Sequence, residues 1–245
     1  MGEIKLICGD AKEELKKMES EISLTITSPP YNMGGKSLGY QPRSKISDKH
    51  YDVYNDDKDE ESYKNFILEV LNLCIEKSKY VFWNMQYVIS TKNTIIEIQN
   101  KFRDNLKEIF IWNKQAIAQI MNKKTNQPVR MASGFEFVFI FGKDGTRNFK
   151  DVNFPKNRYV PNIKTWHKKE FFTEHHATFP RELPSYFIEY FSFKGDTILD
   201  PFCGTGTVGV VAKAKGRNFI GIDISPKYIE IAQKRIDNTM EEFLI

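Results

Sequence analysis

A chain of 245 residues with 40% hydrophobic and 13% aromatic side chains is long enough to bury one sizeable core, and its composition excludes a largely disordered or fibrous protein. Its 36 Lys and Arg against 32 Asp and Glu leave a formal charge of +4 at pH 7, a mild basicity that favours a polyanionic partner without specifying one. Cys8, Cys74 and Cys203 are odd in number and show no paired spacing. With no leader-like stretch and no apolar run of membrane-spanning length, they argue against a secreted disulfide scaffold and for a cytoplasmic protein.

The pattern predicts a strand at Ile4–Cys8, a helix over Lys12–Met18 and a strand at Leu24–Thr27. A stretch without assignment, 32–58, follows with Gly34, Gly35, Gly39 and Pro42. Next come a helix over Glu60–Lys77, a strand at Tyr80–Trp83, a helix over Val88–Phe102 and strands at Glu108–Trp112 and Phe135–Phe141. No helix-length pattern separates those last two strands, so they should pair antiparallel; a parallel crossover needs a helix. A second unassigned stretch, 142–175, holds Gly145, Pro155 and Pro161. The remainder alternates: helix Pro184–Phe193, strand Thr197–Leu199, helix Val208–Lys215, strand Asn218–Ile222 and helix Lys227–Asn238. The expectation is a single α/β domain over residues 1–245, with seven strands and a small insertion at 142–175.

Two strand ends carry the chemistry. After Thr197–Leu199 comes Asp200-Pro201-Phe202-Cys203-Gly204-Thr205-Gly206, where the glycines permit a tight turn and close approach of a ligand. The helix that follows points its first amides into the same crevice. With Gly209 the run reads G-x-G-x-x-G, which by itself admits several nucleotides. Asp223 ends the next strand, where a carboxylate can accept from ribose hydroxyls, and Asp10 stands just past Ile4–Cys8, where it can accept from an adenine amino group. This concentration of strand-end carboxylates suits a cofactor bearing a sulfonium and an ammonium better than a pyrophosphate, and S-adenosylmethionine fits. Taken singly, Asp10 and Asp223 are equally at home as helix N-caps.

The other strand end is Ser28-Pro29-Pro30-Tyr31, after Leu24–Thr27. Consecutive prolines fix φ and remove two amide donors, so the segment is rigid and its carbonyls project outward. The Pro29 carbonyl and the Ser28 hydroxyl can hold an exocyclic amino group whose ring stacks on Tyr31. By itself the tetrapeptide also reads as a strand-ending turn with a packing tyrosine, and Phe202 as a core residue.

Together, Thr27–Asn32 and Asp200–Gly206 resemble the amino-methylating DNA methyltransferases. Supporting segments are Gly9-Asp10 with Leu15, Phe139–Lys143, His176–Leu183 and Arg217–Asp223. The catalytic segment precedes the cofactor turn, which is similar to the permuted order of that family's β group. The resemblance implies a Rossmann-like, S-adenosylmethionine-dependent fold with a mixed seven-stranded sheet, its two motif strands adjacent, and a target-recognition insertion at 142–175. It implies that Asp200, Phe202, Gly204, Thr205 and Gly206 line the cofactor, Asp223 holds the ribose, Asp10 meets the adenine and Thr178 faces the methionine end. Ser28, Pro29, Pro30 and Tyr31 form the target-amine site. Ser28 stands where many adenine-modifying relatives have Asp, which favours N4-cytosine over N6-adenine. No Pro-Cys pair is present, so carbon-5 methylation through a cysteine nucleophile is disfavoured.

A base in a duplex must flip out to reach such a pocket, whereas an unpaired RNA base meets it directly. Lys143, Arg147, Lys150, Lys156, Arg158, Lys164, Lys168 and Lys169 outnumber Asp144, Asp151, Glu170 and Glu174 in the 142–175 stretch, and with Tyr159 and Trp166 they form the candidate DNA surface. Lys36, Arg43 and Lys45 on the glycine-rich loop are placed to close over an extruded base; individually, each cation also reads as a solvated surface charge. The candidate partners are double-stranded DNA, a cognate restriction endonuclease and a second copy of the chain. His50, His167, His175 and His176 make no metal-ligand spacing with each other or with a cysteine, so no metal is expected. Two rival readings stand beside this one: a nicotinamide-dependent oxidoreductase, which leaves Ser28–Tyr31 unexplained, and a non-catalytic nucleic-acid-binding module.

Overall fold

A computed structural model describes residues 2–19, 21–32, 57–114, 125, 127, 131, 133–166 and 179–240. In chain order the elements are β1 (Ile4–Cys8), α1 (Ala11–Lys17), β2 (Ile22–Thr27), α2 (Glu60–Lys77), β3 (Ser78–Met85), α3 (Lys92–Lys101) and β4 (Leu106–Asn113). They continue with β5 (Phe135–Gly142), β6 (Ile163–Thr165), α4 (Glu182–Phe191), β7 (Thr197–Asp200), α5 (Thr207–Ala214), β8 (Asn218–Asp223) and α6 (Pro226–Asp237). One sheet joins all the strands in the order β1-β8-β7-β2-β3-β5-β4-β6.

The strands alternate their burial between two cores, as a period of two requires for a sheet covered on both faces. Val81, Trp83, Phe139 and Phe141 point to the face covered by α1, α2 and α3. Tyr80, Phe82, Val138 and Ile140 point to the face covered by α4, α5 and α6. Asp59 caps α2 by accepting the Ser62 N–H at 2.9 Å, and Ser225 caps α6 by accepting the Tyr228 N–H at 3.3 Å. Each cap satisfies a first-turn amide that the helix itself leaves open.

β4 and β5 pair antiparallel, as expected from a sequence with no helix-length pattern between them, and β3 with β5 likewise. β2 lies beside β7 in parallel, so the two motif strands are neighbours although 173 residues separate Thr27 from Asp200. Among the described residues the sheet has eight strands rather than the seven expected. The extra one, β6, lies inside the stretch read as unassigned and pairs with Ile111–Asn113 of β4. Three residues, Ile163-Lys164-Thr165, are too few to show an alternation in sequence. The helix expected over Val88–Phe102 begins only at Lys92, because Thr91 Oγ1 accepts the Val88 N–H at 3.1 Å and draws Val88–Thr91 into a turn.

Candidate active site

The carboxyl ends of β1, β8, β7, β2 and β3 come out along one edge, set by the registers Cys8–Asp223, Asp200–Gly221, Thr25–Leu199 and Thr27–Trp83. This is the edge at which open α/β sheets bind ligands. The glycine turn leaves β7 there. Gly204 has φ 49° and Gly206 φ 78°, left-handed values that disfavour any side chain. A Cβ on Gly206 would stand 2.8 Å from the Ala232 Cβ of α6, so space as well as backbone demands glycine. Gly209, the third glycine of the pattern, faces packing atoms: a Cβ there would meet Ile236 Cδ1 at 2.5 Å and Phe219 Cε1 at 2.6 Å. It seats α5 on its neighbours.

Asp223 holds the turn from β8. Its Oδ2 accepts the Gly204 N–H and its Oδ1 the Ser225 N–H, each at 2.9 Å. Ser225 rather than Asp223 is the N-cap of α6, so the capping alternative fails for Asp223. For Asp10 it holds: Oδ1 accepts the Lys12 N–H at 3.0 Å and the Glu13 N–H at 3.2 Å. On the far side of the turn Arg235 donates to the Thr205 carbonyl and, at 2.8 Å, to Thr205 Oγ1.

Asp200 is buried, and its Oδ1 accepts from Thr27 Oγ1 at 2.6 Å and from the Phe202 N–H at 3.1 Å. Desolvation raises its carboxyl to about 7 against the opposing pull of those two donors, and the charge of Asp223 pushes the same way. Burial raises Asp223 as well. Two desolvated acids side by side are relieved by a cationic ligand and aggravated by a pyrophosphate. A sulfonium cofactor therefore fits this end of the sheet, and a dinucleotide fits poorly.

The Pro-Pro segment leaves β2 next to that turn and is held at every residue after Pro29. Tyr63 donates its hydroxyl to the Pro30 carbonyl at 2.9 Å, and Ser90 Oγ donates to the Tyr31 carbonyl at 2.7 Å. Asn32, with φ 53°, locks its amide onto the Lys58 backbone through two bonds of 2.8 Å. Among the described residues nothing bonds the Pro29 carbonyl, which leaves it as an acceptor beside the Ser28 hydroxyl. Ser28 Oγ lies 3.1 Å from the Tyr31 hydroxyl, which donates to Glu136 Oε2 at 3.0 Å; Lys114 Nζ donates to Glu136 Oε1 at 2.9 Å. Phe202 packs edge-on to Phe66 and Trp83, with ring centroids 6.0 and 6.2 Å away.

Ser28, Pro29, Pro30 and Tyr31 thus stand at the same edge as Asp10, Asp200, Phe202, Gly204, Thr205, Gly206 and Asp223. Thr178, Lys36, Arg43 and Lys168 lie outside the described residues, as do the four histidines. Several residues that build the site were assigned no role from the sequence. Thr27, Tyr63, Ser90, Glu136, Lys114 and Arg235 act through partners far along the chain; Glu136, an acidic residue interrupting an aromatic strand, was the one visible anomaly.

The basic stretch divides. β5 runs antiparallel to β3, with Gly142 opposite Tyr80, so Lys143 and Arg147 emerge at the edge opposite the glycine turn. There Arg147 pairs with Glu108, and Asp144 anchors the buried Lys107 at 2.6 Å. Those two cations therefore do not belong to a surface around the site. Lys156 and Arg158 are exposed on the segment that climbs to β6, with Tyr159 wholly exposed beside them. Lys164 sits on β6 with its ammonium 5.6 Å above the Tyr186 ring. Trp166, expected on the DNA surface, instead stacks on Phe110 at 5.9 Å and gives its carbonyl to the Trp112 indole. Among the described residues no helix is long and apolar enough to cross a membrane, and no cluster of His, Cys, Asp and Glu is grouped to hold a metal.

A family model described as DNA methylase, for N6 and N4 amino-methylating enzymes, matches residues 22–234. The chain is similar to the Type II methyltransferase M.HpaI of Haemophilus parainfluenzae, at 27% identity over 98% of this chain and 76% of the relative. It is similar also to the DNA adenine methyltransferase YhdJ of Escherichia coli, at 26% identity over 95% and 82%. Among solved structures, the PvuII DNA methyltransferase, described as cytosine-N4-specific, superposes with a TM-score of 0.72 at 21% identity, over 99% of this chain and 89% of that one.

Proposed function

This chain belongs to the DNA methylase family of N6 and N4 amino-methylating enzymes, and from that membership we propose that it methylates the N4 amine of a cytosine flipped from duplex DNA. The methyl donor is S-adenosylmethionine, and the product is N4-methylcytosine at a specific site. The observation that carries the reading is the juxtaposition of Ser28 and the open Pro29 carbonyl with the turn after β7, through the pairing of β2 and β7.

An exocyclic amine is a weak nucleophile because its lone pair is delocalised into the ring. Two acceptors, Ser28 Oγ and the Pro29 carbonyl, draw its hydrogens out of the ring plane and return the lone pair to nitrogen. S-adenosylmethionine, when bound, supplies the electrophilic methyl group. Asp200 and Asp223 provide the negative surroundings for its charge, while the Asp223 bond to Gly204 holds the turn in shape. Rigid placement of both partners supplies the rate, since oriented reactants gain many orders of magnitude over free ones. Tyr31 offers its ring to the flipped base. Lys156, Arg158 and Lys164, with Lys36, Arg43 and Lys168, are the candidate phosphate contacts.

Ser28 favours cytosine. The ground is resemblance: many adenine-modifying relatives have Asp at this position, and the serine form is similar to that of relatives acting on the cytosine amine. YhdJ, named for adenine, keeps N6-adenine as the second reading. The type II names among the relatives support a place in a restriction-modification system, with a cognate endonuclease as companion. The test is mass spectrometry of nucleosides from plasmid DNA incubated with the protein and methyl-labelled S-adenosylmethionine. Labelled N4-methylcytosine is the expected product; labelled N6-methyladenine would move the activity to adenine, and unlabelled DNA would overturn the proposal.

A further inference from the structure

The Ser28–Tyr31 hydrogen bond has no inherent direction, because either hydroxyl can donate. Glu136 supplies one. As a carboxylate it only accepts, and its other oxygen is already held by the Lys114 ammonium, which only donates. The Tyr31 proton is therefore committed to Glu136 Oε2, and the Tyr31 oxygen is left to accept from Ser28. The Ser28 proton is then committed to Tyr31, and the Ser28 lone pairs are left to accept from another donor. We infer that Glu136 is a positioning residue that fixes Ser28 as a hydrogen-bond acceptor for the target amine, through the chain Lys114 to Glu136, Tyr31 to Glu136 and Ser28 to Tyr31. The inference rests on the amine-methylating reading and adds to it a residue 105 positions from Tyr31, on another strand.

The site is built for constancy. Glu136 is 8% exposed at the start of β5, and Lys114 follows the end of β4, where its N–H donates to the Gly134 carbonyl at 2.8 Å. The adjacent strands fix both ends of the pair. The direction of donation thus follows from the β4–β5 pairing as well as from the flexible side chains themselves.

Glu136→Gln tests this with almost no change of shape. Lys114 must keep an oxygen facing it, so the new amide turns its NH2 towards Tyr31 and donates to that oxygen. The chain then reverses, and Ser28 presents its proton to the amine. The expected result is a fall in kcat of roughly 10–100-fold, as for loss of one oriented hydrogen bond in a reaction centre. The affinity for S-adenosylmethionine and the melting temperature should hold. Adding Lys114→Met frees the amide to turn back, and most of the lost kcat should return. In a Tyr31→Phe background, where the chain is already cut, Glu136→Gln should cost nothing more. An unchanged kcat for Glu136→Gln, or an equal loss with and without the Tyr31 hydroxyl, overturns the inference. Should Glu136→Gln fold poorly, Tyr31→Phe alone decides: kcat must fall at constant cofactor affinity, and an unaltered kcat overturns it. Methyl transfer by the parent protein separates this outcome from the reading beneath it, since a parent that transfers no methyl to DNA overturns both.

Discussion

Thr27 donates its hydroxyl to Asp200 at 2.6 Å, so the last residue of one motif strand is bonded to the last residue of the other. Both are buried, and the bond lies where β2 and β7 meet. It ties the amine-binding segment to the cofactor turn more directly than the main-chain ladder does. Replacing Thr27 with Val keeps the volume and leaves Asp200 short of a donor. Urea unfolding should show a loss of about 1–3 kcal/mol, the cost of an unmet buried polar group. A variant of parental stability would mean that the bond is incidental.

The buried acid makes stability depend on pH. The folded carboxyl of Asp200 is raised to about 7 from 3.8, so between those values the folded state holds a proton that the unfolded state has released. Its contribution therefore weakens as pH rises through that window, by up to about 1.4 kcal/mol per pH unit for one proton. Asp200→Asn should lose this slope, measured by denaturant unfolding from pH 4.5 to 6.5. The same linkage predicts that cofactor binding to the parent releases a proton near neutrality, visible as a dependence of the calorimetric enthalpy on the buffer.

Gly206 is strained for any other residue. With φ 78° and a would-be Cβ 2.8 Å from Ala232, Gly206→Ala must shift either the turn or α6. We expect weaker S-adenosylmethionine binding by titration calorimetry and a fall in melting temperature, with a cost above the ~1 kcal/mol of a left-handed alanine alone. Gly209→Ala, which meets Ile236 and Phe219 instead, should lower stability with a smaller effect on cofactor affinity relative to its stability loss.

Asp223→Ala removes the acceptor for two backbone amides, those of Gly204 and Ser225. Cofactor affinity should fall about 10–100-fold, in the range for losing charge-assisted hydrogen bonds. Asp10→Ala should cost about 1 kcal/mol of stability as a lost N-cap whatever its effect on binding. Comparing the two variants by calorimetry and thermal melting separates ligand contact from helix capping.

DNA affinity should follow position rather than charge alone. Lys143→Ala lies at the edge opposite the site and should leave both the affinity and its salt dependence unchanged. Arg158→Ala and Lys164→Ala should each weaken binding to any duplex and reduce the salt slope by about 1. Fluorescence anisotropy across a salt series reads both quantities. An effect of Lys143→Ala equal to that of Arg158→Ala would reject the division.

Much of this protein was legible as local chemistry. Strands ending at Thr27 and within one residue of Asp200 and Asp223 were read from runs rich in β-branched residues, and the prolines of Ser28–Tyr31 announce a rigid acceptor segment without any partner being known. The antiparallel β4–β5 pair followed from the lack of a helix-length pattern in the sequence between them. What could not be read was whatever depended on a distant partner. β6 is three residues long and becomes a strand only because β4 offers it an edge. Lys143 and Lys164 look alike in sequence, yet the reversal of β5 sends one to the far edge and the path through β6 brings the other back.

The sequence by itself therefore determined the alternation of elements, the glycines with left-handed backbone and the residue types able to hold an amine and a cationic cofactor, because each depends on neighbours within a few residues. The tertiary structure alone decided that Thr27 meets Asp200, that Asp223 accepts from the glycine turn and that Glu136 accepts from Tyr31. Those are contacts across strands, and their formation depends on sheet order and register, which the whole chain settles together.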